Sequence, residues 1–194
     1  MKAVTRLFES AVEIAHDLLT RVVGPGDTVV DCTAGNGKDT AFLAGLVGDA
    51  GTVYAFDIQD QALQNTRTRL ETEGLLARVN LVAAGHENLD LHVSRGLKAA
   101  VFNLGFLPGG NKNLITRPSS TVTALEKAAE LLNTGGLLVV VVYTGHRGGT
   151  EESSAVDSFF GGLPRVHWDV IRLVFPNRGS SPPYLISAQK RWRN

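Results

Sequence analysis

Short apolar runs alternate with helical patterns along almost the whole sequence, and this alternation constrains the fold more than any other feature. The run Leu137–Val142 is apolar at every position, as expected of a central parallel strand that is covered on both faces. Strands that alternate with helices predict a doubly wound parallel sheet. The predicted strands are 28–32, 52–56, 78–83, 99–104 and 137–142, and the predicted helices are 5–22, 39–47, 60–73, 119–132 (or from 116) and 150–160.

The last two predicted strands, 166–175 and 184–190, have no helix between them. Two strands joined without a crossover helix are expected to form an antiparallel hairpin at the edge of the sheet. The predicted fold is therefore α/β and Rossmann-like, with a seven-stranded, mostly parallel sheet, one antiparallel edge strand and helices on both faces. A chain of 194 residues is expected to form one domain over 1–194.

The composition predicts a cytosolic protein with no membrane partner. The single cysteine, Cys32, excludes an intrachain disulfide and fits a reducing compartment. No apolar run is long enough to span a bilayer, and acidic residues interrupt the N-terminal apolar pattern. The charge is uneven, because residues 165–194 hold six Lys/Arg and one Asp, a net charge of +5. This basic end is either a phosphate-binding surface or a solvated tail.

A loop with two glycines, Asp31–Gly37, follows the first predicted strand, and Asp57 ends the second. In a doubly wound sheet this loop lies in the crevice at the carboxyl ends of the strands, where ligands bind. Glycines let the backbone approach a ligand closely. Asp57, twenty residues after Gly37, is placed to accept hydrogen bonds from ribose hydroxyls. Together these features predict a site for an adenosine-containing ligand.

The same loop departs from the dinucleotide-binding fingerprint. That fingerprint needs a small residue where Thr40 stands, and Asp39 would place a carboxylate beside a pyrophosphate. Asp31 fits a ligand with a cationic amino acid better, which favours S-adenosylmethionine over a dinucleotide. The alternative is a structural turn in which Asp39 starts a helix. The candidate donor-binding residues are Asp31, Thr33, Gly35, Asn36, Gly37, Asp39, Thr40, Asp57, Gln59, His86, Glu87 and Asn103.

Within that set, His86 and Glu87 follow the third predicted strand, where related proteins contact adenine. Glu87 is equally explained as a charge at a helix N-terminus. Metal chemistry is not predicted, because Cys32 has no cysteine partner and the five histidines lack ligand spacing.

A substrate site is predicted after the fourth strand. Asn103, Phe106 and Pro108 resemble the Asn/Asp-Pro-Pro-Tyr/Phe loops of amino methyltransferases. In those loops, oxygens accept hydrogen bonds from the target amine and the aromatic ring stacks on the base. The alternatives are a turn residue at Asn103 and a core side chain at Phe106.

A second polar cluster, 143–152, follows the fifth predicted strand and faces the same crevice. His146 is a candidate proton acceptor or hydrogen-bonding group, and Tyr143 is a candidate for stacking on a base. A lone histidine in a loop is otherwise a surface residue, so the structural alternative stays open for His146.

Four segments together resemble one family of small bacterial proteins known as rRNA methylases. They are D-C-T-A-G-N-G-K-D-T (31–40), N-L-G-F-L-P-G-G (103–110), S-S-T (119–121) and Y-T-G-H-R-G-G-T-E-E (143–152). The resemblance covers nearly the whole chain. The departures are Cys32 where alanine is expected, Lys38 where histidine is frequent, and Phe106 where tyrosine is frequent.

The resemblance implies a class I methyltransferase that uses S-adenosylmethionine and modifies tRNA. Members convert 5-aminomethyl(-2-thio)uridine at the wobble position to the 5-methylaminomethyl form. An unpaired anticodon-loop base would enter the pocket, and the basic C-terminal region, Lys112 and Arg117 would contact phosphates. The alternatives are methylation of rRNA or of a small-molecule amine, and a non-catalytic adenosine-ligand or RNA-binding module. A nicotinamide dehydrogenase fits less well, and a homodimer is compatible with the sequence.

Overall fold

The computed structural model describes residues 10–105, 109, 115–179 and 181–191 of the chain. Their seven strands form one sheet with the order β3-β2-β1-β4-β5-β7-β6. The strands are β1 (Thr28–Asp31), β2 (Thr52–Asp57), β3 (Val79–Ala83), β4 (Leu97–Leu104), β5 (Leu132–Val142), β6 (Trp168–Leu173) and β7 (Tyr184–Lys190). The helices are α1 (Ala11–Thr20), α2 (Lys38–Val47), α3 (Asp60–Thr72), α4 (Pro118–Leu131) and α5 (Gly149–Gly162), with short 3-10 turns at Leu76–Arg78 and His86–Leu91.

The strand order creates a crevice beside β1. This strand pairs in parallel with β2 on one side and with β4 on the other. The chain therefore builds the sheet outward in one direction as far as β3 and then crosses back to continue on the other side of β1. At such a switch point the loops after β1 and β4 diverge and leave room for a ligand at the carboxyl ends of the strands.

The predicted antiparallel hairpin lies at the edge of the sheet, and its reversed strand is the inner of the two. β7 runs antiparallel to both of its neighbours and lies between β5 and β6, so the edge strand is β6. The burial of the two strands agrees with this order. The first five residues of β7 are buried, whereas the middle of β6, Asp169–Arg172, is exposed. The inner position between two strands covers β7, and α5 connects β5 to the edge strand β6.

Two apolar layers cover the sheet, as the helices on both faces require. Side chains of β5 alternate between them: Leu138, Val140 and Val142 pack with α4 and α5, and the residues between them pack with α1 and α2. The all-apolar run 137–142 is thus explained by burial on both faces.

Among the elements whose predicted bounds lie within the described residues, the boundary shifts most at the start of β5; the predicted first helix, 5–22, begins partly outside those residues and is observed over Ala11–Thr20. The strand begins at Leu132 and includes Gly135 and Gly136, which the sequence pattern placed in the turn after the preceding helix. Pro118 opens α4 at the first helical turn, where its fixed φ is favourable and its missing N–H costs nothing. None of the described helices has the length and apolar character needed to cross a membrane.

Candidate active site

The glycine loop after β1 is a tight turn that lies against α3. Gly37 precedes α2 and has a φ of 75°, in the left-handed region that favours glycine. A Cβ atom on Gly37 would lie 2.9 Å from the Cα atom of Thr66, so no side chain fits there. The Thr66 hydroxyl donates to the carbonyl oxygen of Gly35 over 3.1 Å. This glycine is therefore required both by the backbone conformation and by the contact with α3.

Asp31 is fully buried beneath this loop and holds both of its ends. Its Oδ1 atom accepts from the backbone N–H of Thr33 at 3.0 Å, and its Oδ2 atom accepts from the Thr40 hydroxyl at 2.6 Å. Burial, and then the negative charge of Asp39, raise the pKa of the Asp31 carboxyl to about 7. The predicted position beside a cationic amino acid stays a prediction. The contacts give Asp31, Thr33 and Thr40 a role in shaping the loop.

Asp57 connects the loops after β1 and β2. Its Oδ2 atom accepts from the backbone N–H of Gly35 at 3.0 Å, and its Oδ1 atom accepts from the backbone N–H of Gln59 at 2.9 Å. A carboxylate has about four lone-pair sites, so two remain for a ligand. The ribose role of Asp57 stays a prediction, and Gln59 contributes its backbone N–H to this arrangement.

Asn36 is held by α3 at the other side of the loop. Its side-chain oxygen accepts from Asn65 Nδ2 at 2.8 Å, and its carbonyl oxygen accepts from Arg69 Nε at 2.9 Å. These contacts fix the turn from outside the crevice. The donor-binding role predicted for Asn36 stays a prediction.

Asn103, near the end of β4, is hydrogen-bonded to the glycine loop 31–37 and to the first turn of α2, which are together called the donor loop below. Its backbone N–H donates to the Thr33 hydroxyl at 2.7 Å, and its side-chain Nδ2 donates to Asp39 Oδ2 at 3.1 Å. An ionised carboxylate only accepts hydrogen bonds, so the NH₂ group of the amide must be the part that faces Asp39. The Oδ1 atom of Asn103 is therefore directed away from Asp39. The structure thus brings together the predicted donor and substrate residues.

His16 completes this network, although the sequence pattern did not single it out. Its Nε2 atom lies 2.8 Å from Asp39 Oδ1, and its ring stacks on Phe42 with a centroid distance of 3.8 Å. His16 lies on α1, where the sequence shows only an amphipathic helix. Nothing local to that helix indicates a partner in α2, so only the packing of the two helices could reveal this contact.

His86 is a buried histidine that opens the 3-10 turn after β3, and its contact with adenine stays a prediction. Its Nδ1 atom lies 3.1 Å from the carbonyl oxygen of Cys32, and its exposed fraction is 7%. Burial lowers the pKa of His86, which favours the neutral ring. The carbonyl can only accept, so Nδ1 carries the proton and Nε2 is an acceptor. Nε2 is buried and has no hydrogen-bond partner among the described residues. An adenine amino group would satisfy this acceptor.

Glu87 is explained by local structure. Its carboxylate folds over Gly85, in the space that a Cβ atom on that glycine would need. Its carbonyl oxygen accepts from Lys127 Nζ, which ties the turn to α4. The first turn of the 3-10 segment contains this acid, in agreement with the helix-terminus alternative.

Three groups converge at the substrate end of the crevice. A Cβ atom on Gly105, which follows β4 with a φ of 150°, would lie 3.8 Å from His146 Nε2 and 3.8 Å from Tyr143 Cβ. Partial burial, and then the charge of Asp39, raise the pKa of the Tyr143 phenol. Tyr143 and His146 are therefore next to the end of β4, as predicted. Phe106 and Pro108, the other two predicted residues of this loop, lie outside the described residues.

A buried carboxylate, Glu152, supports this loop and was missed by the sequence interpretation. Its two oxygens accept from the hydroxyls of Thr116 and Thr121, each at 2.7 Å, and its exposed fraction is 1%. Thr116 also pairs with Gly105 through hydrogen bonds in both directions, each 3.2 Å long. Glu152 therefore joins α5 and α4 to the residue at which the substrate loop begins. The acidic pair Glu151–Glu152 was visible in the sequence, but not which acid is buried.

We expect Glu152→Ala to lower the free energy of unfolding by about 2–4 kcal/mol, because two hydrogen bonds to a charged group are lost. The exposed neighbour Glu151 is the matched control, and Glu151→Ala should change stability by no more than about 0.5 kcal/mol. Urea denaturation of the two variants measures the difference. Equal stability of the two variants would contradict a supporting role for Glu152.

Comparisons with known proteins agree with this geometry. A crystal structure of a "putative rRNA-methylase" from Clostridium thermocellum has a TM-score of 0.92 and 45% identity over 94% of this chain and 98% of that one. A "putative methyltransferase" from Streptococcus mutans, solved in complex with SAH, has a TM-score of 0.86 and 38% identity over 94% and 98% of the two chains. Fold and site therefore define an S-adenosylmethionine-dependent methyltransferase of class I.

The comparisons also assign the chain to one family within this class. The chain belongs to the family described as "Putative rRNA methylase", whose model matches residues 53–189. A relative from Arabidopsis thaliana is named "tRNA (mnm(5)s(2)U34)-methyltransferase, chloroplastic". It is 39% identical over 184 residues, which cover 90% of this chain and 67% of the relative. The family resemblance, the fold class and the methyl donor expected from the sequence are confirmed.

Proposed function

We propose that this enzyme methylates tRNA at the wobble uridine. The substrate would be the amino group of 5-aminomethyl(-2-thio)uridine, and the product the 5-methylaminomethyl form. The name of the Arabidopsis relative supports this substrate. The structural observation that carries the proposal is the bonding of Asn103 to both Thr33 and Asp39, because it places an amide beside the donor loop.

The residues around the loop divide into donor-holding and substrate-holding groups. Asp57 would accept from the ribose hydroxyls with its remaining lone pairs, and His86 Nε2 would accept from the adenine amino group. When bound, S-adenosylmethionine would supply a methyl group on a positively charged sulfur; the N–C bond to the amine would form as the C–S bond breaks in line, with S-adenosylhomocysteine as the leaving group. Residues that hold the amine on this line supply much of the rate acceleration.

Asn103 holds the amine, and Asp39 orients Asn103. With Nδ2 committed to Asp39, Oδ1 of Asn103 is the acceptor for an N–H of the substrate. The substrate ammonium loses one proton before attack, and the methylated amine leaves as a secondary ammonium. His146, beside Gly105, is our candidate acceptor for the lost proton. The family resemblance implies that Phe106 stacks on the base and that the Pro108 backbone helps to hold the amine, and Tyr143 is our candidate for stacking on the base or closing the site.

His16 acts through Asp39, so its effect should appear in turnover. We expect His16→Ala to lower kcat about 10-fold, because a loosened Asp39 lets the Asn103 amide rotate out of line. His16→Gln keeps a donor near the position of Nε2 and should restore most of the rate. The exposed His167 is the control, and His167→Ala should not change kcat.

Steady-state kinetics and donor-binding titrations of these variants separate positioning from a general loss of structure. Positioning predicts a fall in kcat that the glutamine variant rescues, with the donor Kd unchanged. Equal damage by His16→Ala and His16→Gln, or a loss of donor affinity alone, would remove His16 from this role.

The proposed substrate is tested with labelled S-adenosylmethionine and bulk tRNA from a strain that lacks the gene, followed by digestion and identification of the labelled nucleoside. Label in 5-methylaminomethyluridine or its 2-thio form would support the proposal. The family description favours rRNA as the second candidate. Label in rRNA, with none in tRNA, would contradict the proposal and identify rRNA as the substrate.

A further inference from the structure

The topology divides the basic C-terminal region between the two ends of the strands. We call the side where the parallel strands end the carboxyl edge and the side where they begin the amino edge. β6 runs parallel to β5, because each is antiparallel to β7. The end of β6 with Arg172 therefore lies at the carboxyl edge, on the same side as Asn103. The start of β6 pairs with Lys190 and lies at the amino edge, together with Arg165 and Arg191. Only part of the +5 charge can face a substrate at the methyl-transfer site.

A cavity of about 330 Å³ lies at the carboxyl edge, beside the loop that carries Tyr143 and His146. Its wall includes Thr144, the residue directly after Tyr143, and Ser181, whose Cβ atom would lie 3.9 Å from a Cβ atom on Gly145, so the cavity borders the loop after β5. The volume falls within the range of ligand pockets, about 300–1,000 Å³. The lining residues used below are Thr144, Ser153, Arg172, Phe175, Ser181 and Tyr184.

The wall of this cavity contains one planar cation, Arg172, and the rings of Phe175 and Tyr184, and Arg178 lies outside the wall and stacks on Phe175. The guanidinium carbon of Arg172 lies 4.3 Å from the centroid of the Tyr184 ring, and that of Arg178 lies 3.7 Å from the centroid of the Phe175 ring. Arg172 is half exposed and has one acidic neighbour, Asp157, at 3.4 Å. Stacked guanidinium groups can contact phosphate along their edge and a nucleobase on their face.

A second cavity, of about 560 Å³, lies at the amino edge between Arg165 and Arg191. It is larger and also basic, but the full length of the strands separates it from the carboxyl ends of β4 and β5. Asp169 lies in its wall, 3.4 Å from Arg191 Nε, and lowers its net charge. This cavity supplies a natural control for the effect of charge alone.

We infer that the 330 Å³ cavity binds a nucleotide of single-stranded RNA adjacent to the nucleotide that is methylated, with its phosphate at Arg172 in the wall and at Arg178, which stacks on Phe175 of the wall. This inference rests on the proposed RNA substrate. A base placed at Asn103 leaves its neighbour within reach of Thr144, because an anticodon loop continues through the active site as a single strand. The serine and threonine hydroxyls of the wall provide donors and acceptors for this neighbour.

The test compares loss of the same charge at the two edges. Arg172→Ala and Arg178→Ala should each raise the KM for tRNA about 10-fold, equivalent to about 1.4 kcal/mol. Each should also lower the slope of log KM against log salt by about 1, as expected for one lost phosphate contact. Arg191→Ala at the amino edge should leave both quantities unchanged. Donor Kd and Tm are measured for every variant.

Arg172→Lys separates charge from stacking, because lysine keeps the charge but not the planar group. The lysine variant should have the salt slope of the wild type and a KM for tRNA between those of the wild type and Arg172→Ala. Equal effects of Arg172→Ala and Arg191→Ala would overturn the subsite while leaving tRNA methylation intact. Unchanged KM in both carboxyl-edge alanine variants would overturn it as well. A wild-type protein that methylates no RNA would overturn the proposed function and this subsite together.

Discussion

Replacement of Asn103 by alanine is expected to lower kcat for methyl transfer by about 100-fold, or about 2.7 kcal/mol in activation free energy. In the proposed mechanism the amide positions the attacking nitrogen, and misplacement of a reacting group by about 1 Å costs about 100-fold. The backbone N–H that donates to Thr33 is retained in the variant. The donor loop should therefore keep its shape, and the Kd for S-adenosylmethionine should change by less than about two-fold.

Single-turnover kinetics with tRNA and calorimetric titration with the donor measure the two quantities separately. Asn133→Ala is the control, because Asn133 is exposed and lies at the start of β5, at the amino edge. Asn103→Asp should be as damaging as the alanine variant, since it places a second carboxylate against Asp39. Wild-type turnover in Asn103→Ala would remove this residue from the mechanism.

Replacement of Asp57 by alanine is expected to weaken donor binding by about 30-fold or more. A hydrogen bond between a neutral donor and a charged acceptor contributes about 1.5–3 kcal/mol, and the ribose offers two hydroxyls. The change also removes the acceptor for the backbone N–H groups of Gly35 and Gln59. Part of the loss therefore comes from the position of the glycine loop.

The Asp57→Asn variant distinguishes these two causes. Asparagine keeps one oxygen for the backbone but loses the negative charge, so its donor affinity should fall between those of alanine and wild type. Asp60→Ala, an exposed change in the first turn of α3, should leave the affinity unaltered. Donor binding by Asp57→Ala at the wild-type Kd would be incompatible with a ribose role.

Much of the geometry of the candidate donor site was predictable because its parts are local in sequence. Gly35 and Gly37 follow a β-branched strand within a few residues, and Asp57 ends the next strand. The rule that ligands bind at the carboxyl ends of such strands then places them together. Gly37 shows the limit of this reasoning. Its conformation was expected, but its contact with Thr66 on α3 was visible only in the packed structure.

The substrate side was less predictable, because its support comes from distant segments. Asn103 and His146 were identified from short motifs. The partners that hold this region were not: Glu152 reaches Thr116 across 36 positions of sequence, and its neighbour Glu151 has the same chemistry. Burial alone distinguishes the two acids, and burial depends on how α4 and α5 pack.

The sequence by itself determined the alternation of strands and helices, the two-sided burial of β5 and the glycine loop with its acids, because periodicity and turn chemistry act over a few residues. Only the tertiary structure decided that β7 lies inside β6 and that His16, Asp39 and Asn103 form one network. His16 and Asp39 are 23 positions apart, and Asp39 and Asn103 are 64 apart. Such contacts depend on which faces of separate elements meet, and that is set by the packing of the whole core.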